Sequence, residues 1–531
     1  MDDKTNDKSS EDSMRKGQKF DVKRSLDDNG SADAPKCKVY KMLESSSSDN
    51  SLDRVELCND LLDEQFIHRL AKNWSENESF DSSSSVQLRT DPFQLCVVEN
   101  FLQNTDHIPK LLDEMVEECE WTNKQMDLYE FHQTADLNTA TSTYLKQFYT
   151  FLNKSVLPWI QQITGLDLTH VSASCSMYNA GDHLLVHDDL LGDRKIAYVF
   201  YLSPWTSWTE SMGGALELFA CNEHIQPIHP PVHRIYPKNN QFVFFKVSEK
   251  SFHQVGEVTN YDYPRITING WFHGPSKENQ SFVGRSKSPE YVIEYFPPTR
   301  IDDAVEFGWI NDIYLQDNCK RNIQKHIEDK SEISLESFLK GDNYRAIQQH
   351  LIEIDESYWT HQGPAHYRNY DKISIDNVNG PVKDFYNILR SNKWFSLLYD
   401  YTELDLYGKN SRSPSVSIEF YRLTHGCYSL LNDRSGFFTD DSLDVILYFN
   451  SNPNFGFITY INPDEDGNQM DDSDEDEEDD KNSVLLTVYP KDNALNIVYR
   501  SGHTGRFIKY VSKNRFAENK YVYIMVASYK E

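Results

Sequence analysis

Hydrophobic spacing in the chain changes from a helical period to a strand period. Leu61, Leu62, Phe66, Ile67 and Leu70 recur at helical spacing, which predicts a short helix over residues 57–74. The same spacing returns over residues 107–119 and 141–163. Short apolar runs bounded by turn residues then take over: VSASCSMY, KIAYVFYL, GALELFA, QFVFFKV and RITINGWF. Each is of strand length and rich in β-branched or aromatic residues. Helices followed by a run of short strands predict an α+β domain built on a β-sandwich or jelly roll. A polar, Pro-containing stretch at 276–300 reads as a linker, and helical spacing resumes near 334–353. From about Ser415 a second strand series follows: VSIEFYRL, DVILYFN, GFITYI, SVLLTVY, ALNIVYR and YVYIMVASY.

The two series resemble each other. IYPKNNQFVFFKV (235–247) and VYPKDNALNIVYR (488–500) share a Tyr-Pro-Lys-x-Asn turn leading into a strand, and KIAYVFYLS parallels DVILYFNSN. Two copies do not make a solenoid, so the pattern reads as one duplicated strand domain that has diverged. The expected organisation is a disordered tail at 1–55, a first domain at 56–275, a linker at 276–300 and a second domain at 301–531. The tail is rich in Ser, Asp, Lys and Asn and poor in aromatics, too polar to offset the entropy of ordering.

Composition narrows the class. The 531 residues suit two or three domains, and 38% hydrophobic with 13% aromatic residues is enough for sizeable cores. No apolar run approaches the roughly 18 residues of a membrane span, and the N-terminal stretch lacks the apolar core of a signal peptide. The eight cysteines are scattered without a CxxC pair, which predicts free thiols rather than a disulfide framework or a zinc site. The formal charge is −30. Twelve of the seventeen residues at 464–480 are acidic, and −18 remains without them. That block predicts a disordered acidic loop, either inert or attractive to a basic partner. No basic stripe is evident, which argues against nucleic acid and for a basic protein partner, with solubility alone as the plain alternative.

Candidate chemistry starts at His187-Asp188-Asp189. On an extended backbone His187 and Asp189 share a face, so both can grip one ion while Asp188 points away. His253, after the QFVFFKV strand, is the natural third ligand. Two imidazoles and one carboxylate form the facial triad of non-haem iron(II) oxygenases. A lone H-x-D among 17 histidines is a weak signal. Twelve residues beyond His253, Arg265 opens a strand, where a guanidinium fork would match the far carboxylate of 2-oxoglutarate. Taken alone, Arg265 reads better as a solvated strand-end charge.

Taken in order, YNAGDHLLVHDD, KIAYVFYLSPW, SMGGALELF, FKVSEKSFHQVGEV and RITINGWFHGP resemble the ribosomal prolyl 3-hydroxylases, a family of 2-oxoglutarate and iron-dependent oxygenase domain-containing proteins. The resemblance is strong over 91–274, including DPFQLCVVENF and MDLYEFHQTADL, and looser beyond. It implies two double-stranded β-helix domains with supporting helices, one catalytic and one degenerate. It implies iron(II) held by His187, Asp189 and His253, with 2-oxoglutarate bound by Arg265 and Tyr201 and flanked by Tyr178. Tyr178 and Tyr201 read equally as strand-packing aromatics. Gly213 and Gly214 would serve a tight turn, and Asp127, Leu128 and Tyr129 a loop near the active-site mouth. The implied activity is L-ascorbate-supported 3-hydroxylation of a proline in a basic small-subunit ribosomal protein at the decoding centre, affecting translation. The implied setting is a monomer in nucleus and cytoplasm, with neither membrane nor direct nucleic-acid contact. The second copy has no H-x-D after Tyr421, and neither His425 nor His503 is expected to bind metal. The rivals are the same chemistry on another protein, or a non-catalytic scaffold for translation or transcription factors.

Overall fold

The computed structural model describes residues 54–82, 85–203, 208–275, 293–300, 308–406, 413–431, 440–453, 456–462, 484–502, 504–513 and 521–531. All of them belong to one compact unit, Leu43–Glu531. The predicted tail (Arg54 and Val55 apart), the acidic segment, His503 and most of the predicted linker lie outside the described residues.

Helix α1 (Glu64–Glu76) starts later than its hydrophobic spacing suggests. Asp63 is extended, and its carboxylate accepts the Phe66 N–H at 2.8 Å, so it caps a new helix. A separate 3-10 turn, Asn59–Leu62, precedes it. Phe66, Leu70 and Trp74 form the buried face, and Trp74 stacks on Phe244 with ring centroids 5.6 Å apart. Helix α2 spans His107–Glu117. The predicted helix at 141–163 is α3 (Thr143–Phe151) and α4 (Leu157–Thr164), joined by a π-helical stretch, Leu152–Val156. Glu114 of α2 accepts the Tyr144 and Leu145 N–H groups and so satisfies the free donors at the start of α3. Phe101, Phe148, Phe151 and Trp159 pack with Phe200 and Phe242, which docks these helices on one sheet.

Eight strands carry the first half: β1 (His170–Tyr178), β2 (His183–His187), β3 (Arg194–Tyr201), β4 (Leu216–Leu218), β5 (His233–Ile235), β6 (Gln241–Lys246), β7 (His253–Val255) and β8 (Arg265–His273). They pair antiparallel in the orders β6-β3-β8-β1 and β2-β7-β4-β5. The strand Tyr129–Gln133 lies between β1 and β2 and joins the two rows into one thirteen-stranded sheet. Two such rows folded over a shared core (Leu95, Ala197, Tyr201, Leu216, Leu218, Val243, Phe245) give a jelly-roll sandwich.

The second half opens with helices α5 (Asp317–Lys330), α6 (Gly341–Glu353), α7 (Pro381–Leu389) and α8 (Asn392–Thr402). Helical spacing predicted only α6, and it begins at Gly341 because Ser334 already belongs to a strand, Glu332–Leu335. From Ser415 onward the strands are β9 (Ser415–Leu423), β10 (Tyr428–Ser429), β11 (Ser442–Phe449), β12 (Ile458–Ile461), β13 (Val484–Val488), β14 (Leu495–Arg500), β15 (Gly505–Ile508) and β16 (Val522–Lys530). They pair as β14-β11-β16-β9 and β13-β12-β15. Beside β15 lies β10, where Ser429 Oγ accepts the Ile508 N–H at 2.8 Å. No described helix is long and apolar enough to cross a membrane.

The halves meet along the strands that lead to His187 and His253. Leu185 of β2 packs with Tyr428 and Leu430, and Val186 and Phe252 pack with Ala365. Half-buried Asp127 accepts the Leu431 N–H at 2.6 Å. Burial pushes the Asp127 carboxyl up, against the pull of its backbone donors.

Candidate metal centre

His187 ends β2 and His253 opens β7, and the two face each other as direct cross-strand partners. Asp189 reaches the same point differently from the expectation. β2 stops at His187, and Asp189 sits in the left-handed region with φ +60°, so a tight turn rather than strand alternation brings its carboxylate round. Its Oδ1 is 3.5 Å from His187 Nε2 and its Oδ2 is 3.4 Å from His253 Nε2. One ligand atom from each residue lies within 4.8 Å of the other two.

The backbone fixes both imidazoles. His187 Nδ1 lies 2.8 Å from the Leu185 carbonyl and His253 Nδ1 lies 2.7 Å from the Ser251 carbonyl. An Nδ1–H held this way leaves the Nε2 lone pair for a cation. The rings are inclined at 54°, so both nitrogens can converge on one point. Burial, helped by the nearby His187, pulls His253 down to about 4, which keeps it neutral and ready to ligate. Burial pushes the Asp189 carboxyl up, but His253, His187 and Arg194 outweigh it and leave the group below its usual range.

A second cluster, His170, Asp193 and His273, lies at the far end of β1 and β8 and fits an ion less well. Its imidazoles are stacked nearly parallel, at 7° and 4.4 Å, so an ion in the plane of one ring leaves the plane of the other. Both His273 nitrogens are engaged, with Asp193 at 2.6 Å and Ser172 Oγ at 2.8 Å. His425, in the second half, sits against Glu257, its Nε2 2.9 Å from that carboxylate.

Arg265 starts β8 directly opposite Tyr178 and is only 1% exposed. Its Nε donates to the Gly214 carbonyl at 2.9 Å, and its guanidinium carbon lies 4.9 Å from the Tyr178 ring centre and 5.2 Å from that of Tyr201. Gly213 and Gly214 both have φ +67° and form the turn that lets their backbone approach. Among the described residues, Arg265 Nη2 and the buried Tyr201 hydroxyl have no hydrogen-bond partner outside their own pair. A buried guanidinium with an unused donor is costly unless something else satisfies it, and a carboxylate does so bidentately. Burial raises the Tyr178 and Tyr201 hydroxyls despite the Arg265 charge, so both stay neutral donors. Tyr178 also stacks on Phe131 at 4.8 Å. The donor set thus fits iron(II), and the orphaned Arg265–Tyr201 pair fits the far end of a 2-oxo diacid. Sequence reading missed Glu257, whose partners lie 168 to 256 residues away in the chain.

Comparison with known proteins agrees with this chemistry. A family model described as the 2OG-Fe(II) oxygenase superfamily matches residues 173–273. A second, described as the oxoglutarate and iron-dependent oxygenase degradation C-term, matches residues 305–530. Prolyl 3-hydroxylase sudestada1 of Drosophila melanogaster is 42% identical, over 86% of this chain and 87% of the relative. Prolyl 3-hydroxylase OGFOD1 of Xenopus laevis is 32% identical, over 86% and 91%. With a relative this similar along most of both lengths, the chain belongs to the prolyl 3-hydroxylases, a family of iron(II)- and 2-oxoglutarate-dependent oxygenases.

Proposed function

We propose that the first half hydroxylates C3 of a proline in a basic small-subunit ribosomal protein, at the decoding centre and with an effect on translation. The carrying observation is the buried Arg265 Nη2 and Tyr201 hydroxyl, with no described partner outside their own pair, in the same thirteen-stranded sheet as His187 and His253. In this reading the cluster holds iron(II). Arg265 and Tyr201 bind the far carboxylate of 2-oxoglutarate, and Tyr178 walls the pocket. Iron(II) and 2-oxoglutarate supply the oxidation of the C–H bond by dioxygen, with L-ascorbate keeping the metal reduced. The protein's own residues hold, orient and desolvate the reactants: β2 and β7 fix two ligands, and burial keeps water from the Arg265 end.

The second half is then a degenerate double-stranded β-helix, with domain limits at 56–275 and 301–531. The repeated orders β6-β3-β8-β1 and β14-β11-β16-β9 support this, as do β5-β4-β7-β2 and β13-β12-β15 with β10 beside it. Where Arg265 faces Tyr178, the second half pairs Val522 with Leu423. A charge of −30 suits a basic protein substrate. Seven free thiols among the described residues suit the nucleus and cytoplasm. The chain acts as a monomer. The test is incubation with proline peptides from ribosomal proteins, iron(II) and 2-oxoglutarate. Mass spectrometry should show one added oxygen on a proline, matched by succinate release. Succinate release without peptide oxidation points to another protein substrate, and neither signal leaves the scaffold reading.

A further inference from the structure

Glu257 follows β7 in the first half, yet its carboxylate is embedded in loops of the second. It accepts hydrogen bonds from Ser512 Oγ at 2.5 Å and the Lys513 N–H at 2.8 Å. His425 Nε2 lies 2.9 Å away and the Tyr510 hydroxyl 3.4 Å away. The side chain is 2% exposed. Burial alone would raise this carboxyl, but the bonds from His425, Lys513 and Ser512 hold it below its usual value, so it stays charged. A buried carboxylate with this many partners is rigid, because losing any of them leaves a desolvated charge undersatisfied.

Its backbone carries that rigidity onward. The Glu257 carbonyl accepts the Gly214 N–H at 3.0 Å, and the Gly214 carbonyl accepts Arg265 Nε at 2.9 Å. The approach is so close that a Cβ on Gly213 would lie 2.1 Å from the Glu257 carbonyl oxygen, and one on Gly214 would lie 3.1 Å from Arg265 Cδ. Three hydrogen-bonded steps therefore connect the second half to the guanidinium: side chain to side chain, backbone to backbone, backbone to side chain.

We propose that Glu257 is a positioning residue through which the second half sets the orientation of the Arg265 guanidinium. The noncatalytic half is thus part of the co-substrate site without touching the co-substrate. This rests on Arg265 being the 2-oxoglutarate anchor.

The test is calorimetric titration of 2-oxoglutarate into the full chain loaded with manganese(II), without oxygen, so that no turnover is needed. Glu257→Ala weakens 2-oxoglutarate binding about tenfold, the low end for losing the support of a ligating group, and leaves manganese affinity unchanged. Glu257→Gln keeps one oxygen that accepts the Lys513 N–H, while its amide N–H donates to Ser512 Oγ in the reversed sense, and it stays within about threefold of the parent protein. If Glu257→Ala does not fold, Ser512→Ala is measured instead and shows a smaller weakening in the same direction. Combining Glu257→Ala with Arg265→Lys gives less than the product of the two single effects, because both act through one guanidinium. An unaltered 2-oxoglutarate affinity in Glu257→Ala, or in Ser512→Ala in its place, overturns the inference when Arg265→Lys is weakened. A parallel loss of manganese affinity also overturns it, since that signals general loosening. Unaltered affinity in Arg265→Lys overturns the anchor assignment itself.

Discussion

At the start of β8, Arg265 faces Tyr178 across the strand pair, and the nearby Tyr201 hydroxyl has no described partner apart from Arg265. At the start of β16, fully buried Val522 faces fully buried Leu423. The residue in register with Tyr201 is Tyr448, and its hydroxyl donates to the Gly456 carbonyl at 2.9 Å. In the second half, Asp444 is enclosed by donors. Asp444 accepts from Ser528 Oγ at 2.6 Å, Arg506 at 2.7 Å, Tyr460 at 2.9 Å and Arg500 at 3.3 Å. One strand order thus encloses a site with unspent polar groups and a core whose aspartate is fully bonded. Strand pairing and apolar burial hold the architecture, while a handful of side chains decides whether its interior is reactive.

The hardest way to break this contrast is to remove a metal ligand. His253→Ala should abolish 2-oxoglutarate turnover while unfolding remains close to that of the parent, because three ligands leave none to spare. Activity retained at limiting iron would place the metal elsewhere. The mirror experiment is Asp444→Ala. Leaving buried Arg500 and half-buried Arg506 without their shared anion should cost about 3 kcal/mol of stability by denaturant unfolding, with iron affinity per folded molecule unaltered. Burial raises the Asp444 carboxyl, but Arg506 and Arg500 outweigh it and hold the group below the usual carboxylate value of 3.8. Its contribution is therefore full above about pH 3.8 and lost as pH falls through the lower folded value. A milder change is Arg265→Lys, which keeps the charge but not the fork. The KM for 2-oxoglutarate should rise about tenfold and that for peptide stay level; equal shifts would dissociate Arg265 from the co-substrate. The smallest effect lies at the seam. Burial and the neighbouring His361 lower His229 from 6.5 to about 4. The unfolded chain takes up that proton first, so stability should decline as pH drops from about 6.5 to 4, and His229→Gln should flatten that stretch of the curve.

Much of this was legible in the residues because the signals are local. Runs such as QFVFFKV and DVILYFN are long and apolar enough to show both strand series, and folding brings His187, Asp189 and His253, which the sequence singled out, to within 4.8 Å of one another at their ligand atoms. Strands as short as β5 and β7 carry three residues each, too few to establish a period. Helices α5, α7 and α8 went unseen, and α5 has only two buried residues, Ile323 and Ile327, among fourteen. Asp189's turn geometry was misread because alternation cannot reveal where a strand stops. Glu257 was invisible for another reason: its meaning lies in Ser512 and Lys513, brought to it only by folding.

The most direct test of the account is metal stoichiometry. Equilibrium dialysis against iron(II) under nitrogen should give about one ion per chain for the parent protein and for His170→Ala/His273→Ala. The His187→Ala/His253→Ala chain should retain none. An ion kept by that last variant, or lost with His170 and His273, would contradict the assignment of the centre to His187, Asp189 and His253.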